Sequence, residues 1–290
     1  MDYFVRHRTT YRYVQDVSQS WHIAHLALRE APGQIVHGSN ISFDRQPASR
    51  MQRPDYFGNP GEWFYFDQPH NRLEILAESR VKVNPSPERA SRDSLTWDKV
   101  RAALESPSDD IARDAVQYMF DSPLTSFKSD VSSYARQSFP PGRPLLAGAM
   151  ELMHRIHADF RYDTSVTDAT TPVDDVFEIR AGVCQDLAHV GLAAMRSLGL
   201  PARYVSGYLF THPPAGKRRL VGADASHAWF SVWAPPFGWV DLDPTNAVIV
   251  SDGHVTAAWG RDYSDVAPVA GIILGGADHA IDVAVDVIPA

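Results

Sequence analysis

Between Tyr3 and about Val83, apolar and polar residues take turns with period two. Leu73, Ile75, Ala77, Val81 and Val83 alternate with Arg72, Glu74, Glu78, Arg80 and Lys82, and Tyr11 and Tyr13 flank Arg12. A strand sends successive side chains to opposite faces, so this pattern puts one face in a core and the other in water. Turn signals such as Ala31-Pro32-Gly33 and Gly58-Asn59-Pro60-Gly61 separate the runs. Residues 1–85 are expected to form an antiparallel, sandwich-like β domain. From 86 to 144 the period lengthens: Trp97, Val100 and Leu104 suit one short helix, Ile111, Ala115, Tyr118 and Met119 another, with breaks at Ser106-Pro107 and Phe139-Pro140-Pro141-Gly142. This region reads as a helical connector.

An α+β core is expected over 145–250. Leu146, Met150, Met153 and His157 make one stripe of a helix, and Leu187, Val190, Ala194 and Leu198 make another that Gly199 and Pro201 end. Alternation on both sides of Ala234-Pro235-Pro236-Phe237-Gly238 predicts an antiparallel hairpin within Asp224 to Asn246. In the last segment, 251–290, Ile281, Val283, Val285 and Val287 alternate with Asp282, Ala284 and Asp286, which predicts a strand that completes a sheet.

Composition narrows the function more than the fold. The chain has 290 residues, 44% of them hydrophobic, and a formal charge of -8. Nucleic acid and anionic membrane attract concentrated basic patches, and none is present apart from the short run Lys217-Arg218-Arg219, read as a solvated loop. No stretch reaches the roughly 18 apolar residues of a membrane span, and the start, MDYFVRHRTTYRYV, lacks the apolar run of a secretory signal. A cytoplasmic protein is expected, with no nucleic-acid or membrane partner. His22, His25, His37 and His70 have no cysteine or tight acidic cluster beside them, so no metal and no cofactor is expected.

The single cysteine, Cys184, falls at the first turn of the second helix. Unpaired N–H groups and the positive end of the helix dipole favour a thiolate there. A nucleophilic cysteine needs a base and a group to orient it. With the hairpin folding back near Pro235, His227 on one arm faces Asp243 on the other, at roughly 5 Å between Cβ atoms, while Asp241 faces Trp229. Parity allows either aspartate, register prefers Asp243, and a bulge reverses the choice. Tyr162 is a candidate donor to the oxyanion of a tetrahedral intermediate, as is the backbone N–H of Cys184. Asp186 is expected at the pocket mouth, and Trp229, with Trp233 and Trp239, in an apolar substrate cleft, whereas His189 is expected to be structural.

Four blocks in order, G-V-C-Q-D around Cys184, L-G-L-P-A-R-Y from Leu198, S-H-A-W from Ser226 and G-W-V-D-L-D-P-T from Gly238, resemble the bacterial transglutaminase-like cysteine enzymes. Asp55-Tyr56-Phe57-Gly58-Asn59 and Gln68-Pro69-His70 resemble the amino-terminal region of that family, and Gly260 to Pro268 resembles the end of its catalytic region. The resemblance implies a Cys184–His227–Asp243 triad acting on a peptide or protein substrate. It also implies a papain-like, transglutaminase-like core behind the β domain. Ser231 departs from the acidic residue many relatives carry there, which bears on substrate preference. Hydrolysis of a peptide or isopeptide amide is the favoured expectation, with amine transfer to protein glutamine and non-catalytic peptide binding as alternatives.

Overall fold

The amino-terminal alternation builds one strand of 23 residues, β1 (Asp2–Ala24). It is followed by β2 (Gln34–Phe43), β3 (Ser49–Pro54), β4 (Pro60–Phe66) and β5 (His70–Val83), then by helices α1 (Trp97–Leu104), α2 (Asp110–Val116), α3 (Ser129–Arg136) and α4 (Leu145–Asp159). Beyond these come β6 (Arg161–Tyr162), α5 (Val173–Ile179), β7 (Ala181–Gly182), α6 (Cys184–Ser197), β8 (Ala202–Leu209), β9 (Ala225–Trp233), β10 (Trp239–Asp243) and β11 (Val248–Ile249). The chain closes with β12 (His254–Gly260), α7 (Tyr263–Val266), β13 (Val269–Gly275) and β14 (His279–Pro289). This computed structural model describes residues 1–84, 90–126, 129–211 and 225–290; the basic run Lys217-Arg218-Arg219 lies outside them.

β1 serves two halves of the first sheet. Its early residues pair with β5 (Tyr3 opposite Val81) and β14 (Tyr3 opposite Pro289). Past a register shift between Arg12 and Val17, its later residues pair with β4 (Trp21 opposite Tyr65) and β13 (Trp21 opposite Ile272). Val17, Leu26, Ile41, Phe64, Phe66, Leu73 and Ile75 form the core between the halves. The carboxyl-terminal segment is therefore divided. β12 joins the second sheet, whereas β13 and β14 complete the first, so residues 1–85 do not form it alone.

The second sheet runs β11-β10-β9-β8-β12, antiparallel throughout. Across it lies α6, whose residues Gln185 to Arg196 are all buried. Sequence periodicity suggests an amphipathic helix, but here α3, α4 and α5 cover the side that faces away from the sheet. Gly191 permits the close approach, since a Cβ there would lie 2.6 Å from the Phe230 ring on β9. Arg196, 3% exposed, ends the helix among carbonyls of Tyr118 (3.0 Å) and Ala202 (2.9 Å) and the Thr125 hydroxyl (2.6 Å), which meets the requirement that a buried charge be hydrogen-bonded.

The sheets meet along β12. Tyr3, Val5, Val81, Val285 and Val287 of the first sheet share a core with Tyr208, Val255 and Ala257 of the second. Two carboxamides act as strand mimics at the β12 backbone. Gln34 donates to the Thr256 carbonyl (2.7 Å) and accepts from the Thr256 N–H (2.9 Å); Asn59 does the same at Trp259 (2.8 and 2.9 Å). Arg29 stacks on the Trp259 ring at 3.0 Å and bonds Asn59. A buried polar group left unpaired costs about 1–3 kcal/mol. Asn59→Leu strands one N–H and one C=O of Trp259, so a loss of roughly 2–5 kcal/mol is expected on that scale. Denaturant melts of Asn59→Leu beside wild type measure it, and an unchanged midpoint would contradict the clamp.

Candidate active site

Cys184 is the first residue of α6, half-buried, with its sulfur at the end where backbone N–H groups point outward. What holds that end is Asp186. Its Oδ2 accepts from the Val183 N–H (2.8 Å) and the Thr167 hydroxyl (2.6 Å). Gly182 is glycine because a Cβ would fall 2.5 Å from that same oxygen. Gln185 donates to the Ala169 carbonyl at 3.1 Å, so the two residues after the cysteine tether the loop between β6 and α5.

His227 enters from β9 and Asp243 from the end of β10, with Nε2 and Oδ2 2.8 Å apart. The register differs from the one expected. Ala234 pairs with Gly238 (N to O, 2.8 Å), so the turn centres on Pro236 rather than Pro235, and Asp241 lies opposite Ser231 and Leu242 opposite Phe230. Asp243 therefore meets His227 on a diagonal, reaching across with its side chain. Asp241 accepts from Trp229 Nε1 at 3.2 Å instead.

Asp243 is fully buried and accepts five hydrogen bonds. Oδ2 receives His227, His254 Nε2 (3.1 Å) and Asn246 Nδ2 (2.7 Å), and Oδ1 receives the N–H groups of Thr245 (2.9 Å) and Asn246 (3.2 Å). Burial alone would raise its carboxyl, but the bonds from His227, His254 and Asn246 hold it well below the usual carboxylate range. Burial also works against the His227 cation; the hydrogen bonds it donates to Asp243 and Cys184, and their charges, outweigh it and raise the imidazole from 6.5 to about 10. With Nε2 committed to Asp243, Nδ1 is the nitrogen left to meet the sulfur. One ring nitrogen each of His227 and His254 and an Asp243 oxygen lie within 4.8 Å of one another, a donor set suited to a divalent metal. The hydrogen bonds at Asp243 already occupy these atoms.

Tyr162 is brought beside the cysteine by a two-residue parallel ladder in which it faces Gly182. It is 55% exposed, and its phenol is raised by burial and then by the Cys184 and Asp186 charges. Two sequence expectations need correction. Asp186 and Trp229 are both 0% exposed, so neither can touch substrate: the carboxylate caps the helix start, and the indole packs inside the sheet. The other hairpin tryptophans also pack, Trp233 against Trp239 at 5.7 Å, with Arg203 between Trp239 and Trp259. His189 is buried and accepts from the Tyr263 N–H at 3.2 Å. Two residues at the site escaped the sequence reading. Asn246 follows Asp243 by three in an aspartate-led turn, a local signal that was available. His254 lies on a different strand, where nothing nearby marks it.

A helix that opens on a cysteine and packs on an antiparallel sheet bearing a histidine and an aspartate is the core of the transglutaminase-like class. Residues 133–244 match the transglutaminase-like superfamily and residues 3–82 the bacterial transglutaminase-like N-terminal region, and the chain belongs to this family. An uncharacterized protein of Mycobacterium tuberculosis (strain ATCC 25618 / H37Rv) is 39% identical over 295 residues, 99% of this chain and 92% of that one. A protein-glutamine gamma-glutamyltransferase of Pseudomonas aeruginosa is 34% identical over 116 residues, 39% of this chain and 17% of its own. In three dimensions the fold is shared with a protein from Cytophaga hutchinsonii proposed to be a cysteine protease (TM-score 0.77, 20% identity, 100% of this chain and 91% of that one). Among the described residues no helix is long and apolar enough to cross a membrane.

The opposed histidine shifts predict a stability maximum near neutral pH. Burial lowers His7, His22 and His189 from 6.5 to about 4. Their unfolded forms take up protons first, so stability falls as pH drops from 6.5 toward 4. His227 works the other way: its contribution is complete below 6.5 and is lost as pH rises through about 10. Thermal melts from pH 4 to 10 should show both limbs, and His227→Ala should flatten only the alkaline one.

Proposed function

We propose that this protein carries out thiol-dependent acyl transfer on a peptide or isopeptide amide, with water as the acceptor. One observation carries the reading. His227 bonds a buried carboxylate at 2.8 Å and is raised in part by the charge of the single cysteine, Cys184, which sits at a helix amino terminus. The imidazolium opposite the sulfur favours the thiolate, which attacks the amide carbonyl. Asp243 holds Nε2, so the Nδ1 proton passes to the departing amine as the C–N bond breaks and the thioester forms. Water then attacks the thioester, giving its proton to Nδ1; the acid leaves and the thiolate–imidazolium pair is restored. Tyr162 and the Cys184 N–H are the candidate donors to the oxyanion, and no step calls for a metal.

Amine transfer is the second reading, favoured by the segment shared with the Pseudomonas glutamyltransferase. It differs only in what resolves the thioester. Mass spectrometry after exposure to a mixed peptide pool should find an acyl group on Cys184. A fluorescent primary amine supplied with a glutamine-containing protein then separates the two outcomes, since covalent labelling would select transfer over hydrolysis.

Alkylation by iodoacetamide tests the chemistry without a substrate. A free thiol has a pKa of about 8.5. Cys184 should be alkylated at pH 7, and His227→Ala should slow that reaction. Reaction only in alkali, indifferent to His227→Ala, would leave a peptide-binding module. Turnover should also survive EDTA; reversible loss would instead point to a metal at His227, Asp243 and His254.

A further inference from the structure

Asp243 holds a second imidazole. His254, on β12 and 7% exposed, places Nε2 3.1 Å from the oxygen that His227 bonds at 2.8 Å. Its ring stands edge-on to Trp229 at 5.3 Å and 6.1 Å from that of His227. On its other side is a cavity of about 70 Å³ that it shares with Asp241, Arg203 and Gln34. Among the described residues, the charged and titratable groups that share its contacts or this cavity are Asp243, His227, Asp241 and Arg203. Of the groups that donate to Oδ2, His227 is the one whose proton inventory changes in acyl transfer. The carboxylate needs other donors to keep its plane when that bond weakens, and an imidazole on an independent strand supplies one.

We propose that His254 is a positioning residue of this site: it fixes the Asp243 carboxylate where His227 meets it, without touching substrate. Gln34 and Asn59 clamp β12 at Thr256 and Trp259, so the first sheet helps to set the geometry of the cysteine centre through this histidine. The inference rests on the acyl-transfer reading.

The test is the rate of Cys184 alkylation by iodoacetamide against pH, read by intact mass. It uses Asp243→Asn, His254→Ala, His254→Gln and the double variant of Asp243→Asn with His254→Ala. Loss of a partner behind a functional ligand typically costs about tenfold or more, so His254→Ala should slow alkylation at pH 7 about tenfold and move the profile the way Asp243→Asn does. His254→Gln, which keeps an N–H near the same place, should recover most of the rate. The double variant should be no slower than Asp243→Asn alone, because both remove one interaction. A His254→Ala profile identical to wild type, effects that multiply in the double variant, or a folded His254→Gln as slow as the alanine would each overturn the proposal. If His254→Ala does not fold, His254→Asn, whose amide falls short of Oδ2, takes its place. Failure of the acyl-transfer reading shows separately, as Asp243→Asn and His227→Ala profiles that match wild type, and it would take the proposal with it.

Discussion

Everything at the site follows from taking the Asp243 carboxylate out of water. A buried ion costs several kcal/mol unless its lone pairs are filled, and here two backbone N–H groups, one amide and two imidazoles fill them. The same negative charge keeps His227 cationic against the pull of burial, and the imidazolium in turn faces the Cys184 sulfur. Remove the carboxylate and the ring loses one of the two partners, Asp243 and Cys184, that oppose burial and keep it charged.

The position of that carboxylate depends on elements far apart in the chain. β10 carries it, β9 supplies His227, β12 supplies His254, and α6 brings the cysteine against the face of the same sheet. β12 is the edge strand on that side, and edge strands expose unpaired backbone groups. Here the first sheet covers that edge with the carboxamides of Gln34 and Asn59 and an apolar seam. The amino-terminal sheet, which contributes none of the three proposed catalytic side chains, is in this way bound to the strand next to them.

Burial also separates groups that composition alone would treat alike. His189 and His227 are both buried, yet one is driven neutral and the other held charged. Desolvation is the largest influence on each, and it wins only where no hydrogen-bonded carboxylate opposes it. Asp186 and Asp243 divide the same way: the first, with one buried oxygen left without a partner, is raised, while the second, with every position filled, is lowered.

The alternating run at Leu73 to Val83, the helix opened by Cys184 and the paired arms around Ala234 to Gly238 were legible in the sequence, because side-chain period and turn chemistry are local. The choice of Cys184, His227 and Asp243 as the candidate set came from those local patterns and from the family blocks. Only the tertiary structure decided the rest. Register moved by one residue of turn centre, so a facing pair became a diagonal one. Asp186 and Trp229 look like pocket residues in one dimension and are wholly buried in three. The sheet that residues 1–85 begin is finished by β13 and β14, and His254 reaches Asp243 from another strand. Such contacts are set by which surfaces exclude water from one another, and no window of sequence contains both partners.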